Sequence, residues 1–228
     1  MKKFNLIALS FWIAIIPFFQ SCMSDGEPVD SFVISTIKVP DAESKDYYFL
    51  LDNGKKMFPS ITDWVKGYEA KEGQRAFVLF RDLEQTTEGY DYSIEVKRIE
   101  NILTKDIIDL TAENEAEIGD DGINTTYMWI AQGYLTIEFQ YYGTNSSDKK
   151  HYINLVNNTL NTEPNPDEEY IELEFRHNAE GDAPAVLGEG YVSFKLNSLA
   201  DQMEGKKGLK IRVKTIYEGT KLYTVDFK

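Results

Sequence analysis

Tyr90-Asp91-Tyr92-Ser93-Ile94-Glu95-Val96-Lys97-Arg98-Ile99 is the stretch that decides the fold class. Tyr90, Tyr92, Ile94, Val96 and Arg98 fall on one face, and Asp91, Ser93, Glu95 and Lys97 on the other. Alternation at period 2 marks a strand with one face on a core. The same pattern extends outward. Upstream lie Phe32–Val39, ended by Pro40, then Tyr47–Leu51, closed by the turn residues Asp52-Asn53-Gly54, then Gln74–Phe80. Downstream lies Asp106–Leu110. Five strands in about 80 residues predict a small closed barrel, because closure removes the edges along which strands aggregate.

Thr111 to Asn124 interrupts the alternation with acidic residues and glycines, and is read as the junction between two domains. Thr111 is placed to cap a single helical turn there. Seven more strands follow, at 126–131, 134–141, 150–157, 169–177, 190–196, 209–217 and 221–227. Gln132-Gly133 and Glu218-Gly219-Thr220 read as hairpin turns, and 198–203 as a short helix. Ile171, Leu173 and Phe175 alternate with Glu172, Glu174 and Arg176, as in a sheet packed on one side. Seven strands over about 105 residues fit a β-sandwich. The expected organisation is all-β: a barrel at 32–111 and a sandwich at 112–228. The 14 Tyr and 13 Phe suit it, since aromatic side chains favour strands.

The N-terminus carries an export address. Lys2 and Lys3 precede an almost wholly apolar run, Phe4 to Phe19, the layout of a secretory signal. A membrane-spanning helix needs roughly 20 apolar residues; this run is shorter and Pro17 disturbs its end. Phe18-Phe19-Gln20-Ser21-Cys22 resembles a lipobox. Residues 1–21 are expected to be cleaved, leaving Cys22 to carry lipid and residues 22–31 to form a flexible tether. Several acyl chains, at about 0.8 kcal/mol per buried methylene, anchor a soluble domain firmly. The acidic pair Asp25 and Glu27 resembles a surface-export signal; the same charges also suit a plain solvated tether. The expected address is therefore the outer membrane, on its periplasmic side or at the cell surface.

Composition excludes several classes of function. Cys22 is the only cysteine, so no internal disulfide forms and no mature thiol is left for catalysis. Loss of residues 1–21, with two lysines and no acids, takes the net charge from −14 to −16. That opposes nucleic-acid binding, which depends on neutralising phosphates. No cofactor motif occurs. His151 and His177 sit at strand ends without a sequence motif around them, and read as ordinary strand-end histidines. Gly119-Asp120-Asp121-Gly122-Ile123-Asn124 offers oxygen ligands for calcium but lacks EF-hand spacing, so an acidic turn is the better reading. Paired carboxylates for glycoside hydrolysis need a separation of about 5–10 Å across a cleft; 38 acids make chance pairs inevitable.

Two features point to binding. Lys210, Arg212 and Lys214 share a strand face in the one basic region. They form either a patch for an anionic partner or one side of ion pairs with Glu172 and Glu174. The adjacent pairs Tyr47-Tyr48 and Tyr141-Tyr142 each turn one ring away from the core, where it can stack on a sugar, anchor a protein or equally pack at the domain interface.

Tyr47-Tyr48-Phe49-Leu50-Leu51-Asp52-Asn53-Gly54, Gly73-Gln74-Arg75, Gly89-Tyr90-Asp91-Tyr92, Ile102-Leu103-Thr104-Lys105 and Leu110-Thr111-Ala112-Glu113-Asn114 resemble the N-terminal part of NigD-like lipoproteins. Tyr134-Leu135-Thr136-Ile137, His151-Tyr152-Ile153-Asn154-Leu155-Val156 and Tyr170 to Asn178 resemble their C-terminal part. The resemblance covers most of the mature chain. It implies an OB barrel followed by a β-sandwich, in a Bacteroidetes-type family whose name derives from a suggested bacteriocin-immunity role. It supplies no catalytic residues. The expected function is that of a non-catalytic envelope lipoprotein binding a protein or other envelope ligand; the alternative is a glycan-binding accessory of nutrient uptake.

Overall fold

The computed structural model describes residues 29–41, 46–144, 146–161 and 167–227. Five strands come first: β1 (Ser31–Lys38), β2 (Tyr48–Leu51), β3 (Lys56–Ile61), β4 (Arg75–Asp82) and β5 (Tyr92–Asn101). They close into a barrel in the order β1-β2-β3-β5-β4, with β1 and β4 pairing to complete the ring. Ile37, Phe49, Met57, Ala76, Val78, Ile94 and Val96 fill it, each at most 1% exposed.

Three local expectations are corrected. First, β3 was not anticipated, because Pro59 lies inside it. The proline is tolerated because the register with β5 shifts between Pro59 and Ile61, where the ladder is already irregular. Second, the strand expected at 106–110 does not belong to the barrel. It is part of two strands, β6 (Leu103–Asp106) and β7 (Ile108–Leu110), one in each sheet of the sandwich. Third, Arg98 does not face the barrel core. Phe80 pairs with Val96 while Leu79 pairs with Arg98, so a bulge at Lys97 reverses the facing of the residues beyond it. Ile99 takes the place against the core and Arg98 points outward to Glu100, 2.8 Å away.

The remaining strands are β8 (Asn124–Ala131), β9 (Tyr134–Gly143), β10 (Tyr152–Asn158), β11 (Tyr170–Asn178), β12 (Val186–Lys195), β13 (Gly208–Thr215) and β14 (Gly219–Asp226). They form a five-stranded sheet, β14-β13-β11-β10-β7, and a four-stranded sheet, β6-β12-β9-β8. The inner faces meet through Leu135, Ile137, Ile153, Leu155, Leu173, Phe175, Val192, Phe194, Ile211 and Val213. Phe175 touches Phe139 and Phe194, with ring centroids 6.0 and 6.2 Å apart. The β8–β9 hairpin turns at Gln132 and Gly133, with φ of 50° and 79°, the two positive angles that a two-residue hairpin of matching twist requires.

A helical turn, Glu115–Ile118, lies outside the five-stranded sheet and covers Leu110 and Val156 with Ile118. Asn114, and not Thr111, occupies its cap position. The Asn114 side chain accepts the Thr111 N–H at 2.8 Å and donates to the Asp109 carbonyl at 2.9 Å. The short helix expected at 198–203 is present as Asn197–Leu199 followed by Ala200–Met203.

Candidate functional site

Strand parity brings two outer faces together. On the barrel, Ala76 and Val78 point into the core, so Arg75 and Phe77 point outward, paired with Thr36 and Ile34 of β1. On the four-stranded sheet, Thr136, Ser193 and Trp129 share the outer face, followed by Glu138, Tyr191 and Tyr127. The barrel's outer face packs on this one.

Half of the contact is closed by a polar lattice around Arg75, whose side chain is 0% exposed. Its guanidinium donates to both oxygens of Asp52, at 2.6 and 3.1 Å. It also donates to the hydroxyls of Thr36 at 3.1 Å and Thr136 at 3.4 Å. The Trp129 indole N–H donates to the same Asp52 carboxylate at 2.7 Å, and the Thr136 and Ser193 hydroxyls join at 2.9 Å. Asp52 therefore binds a barrel cation and a sandwich indole at once. A buried guanidinium needs this, because an unpaired buried charge is strongly destabilising. The Tyr134 ring lies against the guanidinium, with 5.5 Å to its centroid, and the Tyr134 hydroxyl donates to the Gly73 carbonyl at 2.8 Å.

The other half stays open as a groove of about 500 Å³ lined by Phe32, Ile34, Asp52, Phe77, Trp129 and Tyr191, among others. Phe32 stacks on Phe77 at 5.1 Å, and Tyr191 meets Phe77 edge-on at 4.9 Å. The Tyr191 hydroxyl donates to Glu138 at 2.8 Å. Phe32 is 64% exposed and Tyr127, beside Trp129, 61%. Such rings offer large contact area at small entropic cost, with polar handles already oriented. Sequence reading did not single out this groove. The available signal was Arg75, a charge next to the apolar run Ala76–Phe80, whose partners lie far away in the chain.

The residues selected from sequence lie elsewhere. Cys22 and the signal segment fall outside the described residues. Lys210, Arg212 and Lys214 do share the outer face of β13. Lys210 pairs with Asp167 at 2.8 Å. Arg212 grips both oxygens of Asp120 at 2.9 Å and reaches Glu174 at 3.4 Å. Lys210 and Arg212 border a cleft of about 440 Å³ that also holds Glu172 and Glu174. The Asp120 partner raises the Arg212 pKa further, as the Asp167 partner raises that of Lys210. Asp120 thus meets guanidinium, Arg176 adding a contact at 3.4 Å, and Asp121 accepts the Ala179 N–H at 2.9 Å. No group of three or more His, Cys, Asp or Glu able to hold a metal occurs among the described residues.

The tyrosine pairs are absorbed by their surroundings. Tyr47 packs on Phe49 and Tyr68, and burial pushes its hydroxyl pKa up to about 12. Tyr48 meets Tyr90, and the Tyr142 and Tyr217 hydroxyls join at 2.8 Å. Tyr141 lies against both histidines. The histidines are not isolated strand ends: His151 Nδ1 is 2.8 Å from His177 Nε2, and His151 Nε2 is 3.2 Å from Asp182.

Comparison with known proteins also divides the chain into two parts. Residues 36–102 match the NigD-like N-terminal OB domain, and residues 106–227 the NigD-like C-terminal beta sandwich domain. The chain belongs to the NigD-like family. Two solved structures similar to this NigD-like chain are a DUF1344 protein of unknown function from Bacteroides vulgatus ATCC 8482 and a Parabacteroides distasonis ATCC 8503 protein whose name suggests a relation to a toxin. The first is 27% identical, with TM-score 0.74, covering 88% of this chain and 92% of its own. The second is 32% identical, with TM-score 0.71, covering 88% and 94%. A NigD-like immunity protein from Bacteroides caccae ATCC 43185 shares the fold, at 15% identity and TM-score 0.61, covering 87% and 92%. No curated protein matches. No helix among the described residues is long and apolar enough to cross a membrane.

Proposed function

We propose that this NigD-like chain is a non-catalytic lipoprotein of the cell envelope, held to the outer membrane by lipid on Cys22, that binds a protein partner in the groove between barrel and sandwich. The observation that carries the reading is the groove itself. Four aromatic side chains line an open space of about 500 Å³, and its walls are fixed by the buried Arg75–Asp52–Trp129 lattice. A rigid aromatic cleft needs little ordering on binding, which is where affinity is usually lost. The cations of β13 support the same choice, since Lys210 and Arg212 are already engaged by carboxylates of this chain.

The test is capture from envelope extracts with lipid-free residues 23–228, using wild type and a Phe32→Ser/Tyr191→Ala variant side by side. A protein enriched by the wild type and lost with the variant supports the reading. Glycan binding by the wild type, lost with the same variant, replaces the protein partner with a sugar. The immunity role in the name of the Bacteroides caccae protein is tested by deletion and bacteriocin challenge; unchanged sensitivity removes it. Protease shaving of intact cells separates surface from periplasmic display.

A further inference from the structure

At one end of the sandwich, His151 and His177 form the centre of a chain of contacts. Asp182 Oδ2 lies 3.2 Å from His151 Nε2; His151 Nδ1 lies 2.8 Å from His177 Nε2; His177 Nδ1 lies 3.2 Å from the Gly122 carbonyl. The two rings are 14° from parallel with centroids 5.1 Å apart. That centroid distance is the N–N distance plus the two ring radii, so the imidazoles meet end to end in a common plane. This is the geometry of an in-plane N–H···N hydrogen bond.

The hydrogens can be counted. The Gly122 carbonyl can only accept, so His177 Nδ1 carries hydrogen. Asp182 is ionised: the Thr144 backbone N–H and hydroxyl, both at 2.7 Å, pull its pKa down to about 2. It too can only accept, so His151 Nε2 carries hydrogen. The 2.8 Å contact between the inner nitrogens needs a third hydrogen, since two facing lone pairs repel. Two neutral imidazoles have only two.

We infer that His151 and His177 hold one proton in common as an imidazole–imidazolium pair, and that losing it unlatches the Gly119–Ile123 loop. The surroundings fit a single cation. The Asp182 side chain is 2% exposed, and its ion-pair partner among the described residues is His151. A buried carboxylate requires such a partner. The Tyr141 ring, 4.5 Å from the His151 ring and 5.8 Å from that of His177, presents aromatic surface to the cation. Burial, with the neighbouring His151, lowers the His177 pKa, which limits the pair to one added proton; the Gly122 carbonyl and Asp121, the other acid facing the pair, act the other way. Gly143 leaves the room: a Cβ there would lie 2.8 Å from both Asp182 Oδ2 and His151 Nε2.

When the shared proton leaves, two hydrogens serve three contacts. Facing the carboxylate with a lone pair is the worst loss, and the inner contact is the shortest. His177 Nδ1 therefore turns a lone pair to the Gly122 carbonyl. The loop is otherwise tied to this strand end by the Asp121 N–H on the His177 carbonyl, at 2.7 Å, and by the Ala179 N–H on the Asp121 carboxylate, at 2.9 Å. Through Asp120 and Arg212 the same loop reaches the outer face of β13.

The experiment is nitrogen NMR of the ring nitrogens in lipid-free residues 23–228 labelled at histidine, at pH 7 and upward, with exchange of the Asp121 amide followed in parallel. Expected are three ring N–H groups in the pair, nitrogen–nitrogen coupling between His151 Nδ1 and His177 Nε2, and at least tenfold lower protection of Asp121 once the pair loses its proton. Two ring N–H groups at pH 7, or Asp121 protection unchanged by deprotonation, would overturn the inference. His151→Gln should abolish the pH dependence of Asp121 protection. If that variant does not fold, Asp182→Asn, which removes the charge that holds the cation, should shift proton loss to lower pH. No shift counts against the pair.

Discussion

Asp52→Ala tests the lattice that joins barrel to sandwich. The mutation removes two charge-assisted hydrogen bonds from a guanidinium that is 0% exposed, and a third bond from the Trp129 indole. Arg75 keeps the Thr36 and Thr136 hydroxyls as hydrogen-bond acceptors and the Tyr134 ring against its face, and its Nε is already without a partner. Removing one member of a buried ion pair costs about 3–5 kcal/mol, because the other charge stays buried and uncompensated. Asp52 is 28% exposed, which lets water reach its place and favours the lower end. For a chain of this size each kcal/mol shifts the melting midpoint by about 2–4 °C, so a fall of about 6–20 °C is expected. The assay is thermal unfolding of lipid-free residues 23–228 followed by circular dichroism. The double replacement Asp52→Leu/Arg75→Met should recover most of the loss, since an apolar pair of similar volume often replaces a buried ion pair at no net cost. A fall of less than about 3 °C for Asp52→Ala would refute the reasoning, because it would mean that solvent compensates the guanidinium.

Other outcomes rest on the same structure. Cys22→Ser should move the protein from the membrane fraction to the soluble fraction; unchanged fractionation would count against lipid anchoring. Gly143→Ala should destabilise by about 1–3 kcal/mol through overcrowding of the Asp182–His151 contact, and wild-type stability in urea unfolding would contradict it. The depressed Asp182 pKa contributes stability that is complete above the ordinary carboxylate value of 3.8 and is lost as pH falls through about 2. The lowered His177 pKa, which opposes a second added proton on the histidine pair, likewise contributes stability present above 6.5 and lost as pH falls toward its folded value. Acid titration of stability should therefore lose its component below 6.5 in His177→Asn; a profile that keeps it would sink the assignment.

Alternation was legible wherever a strand had one face on a core, and all seven expected strands of the sandwich correspond to β8–β14. It failed where local geometry broke the period. Pro59 hid β3, and the bulge at Lys97 exchanged the roles of Arg98 and Ile99. Strand membership was harder still: β6 and β7 read as one barrel strand because periodicity says which residues face a core, never which core. The groove was not legible for a related reason. Arg75 and Phe77 point away from the barrel core, and only the sandwich, contacting them through Thr136 and Tyr191, turns that face into an interior. The histidine pair depends on residues 26 positions apart, together with Gly122 and Asp182, so no local spacing announces it.

The most direct measurement of the central claim is site-specific photocrosslinking in living cells, with the reactive side chain at Phe32 in the groove and, as control, at Leu222 on the outer face of the five-stranded sheet. A single envelope protein crosslinked from position 32 and not from 222 is the expected result. Crosslinking from 222 alone, or none from position 32 in a correctly localised protein, would contradict the groove as the binding site.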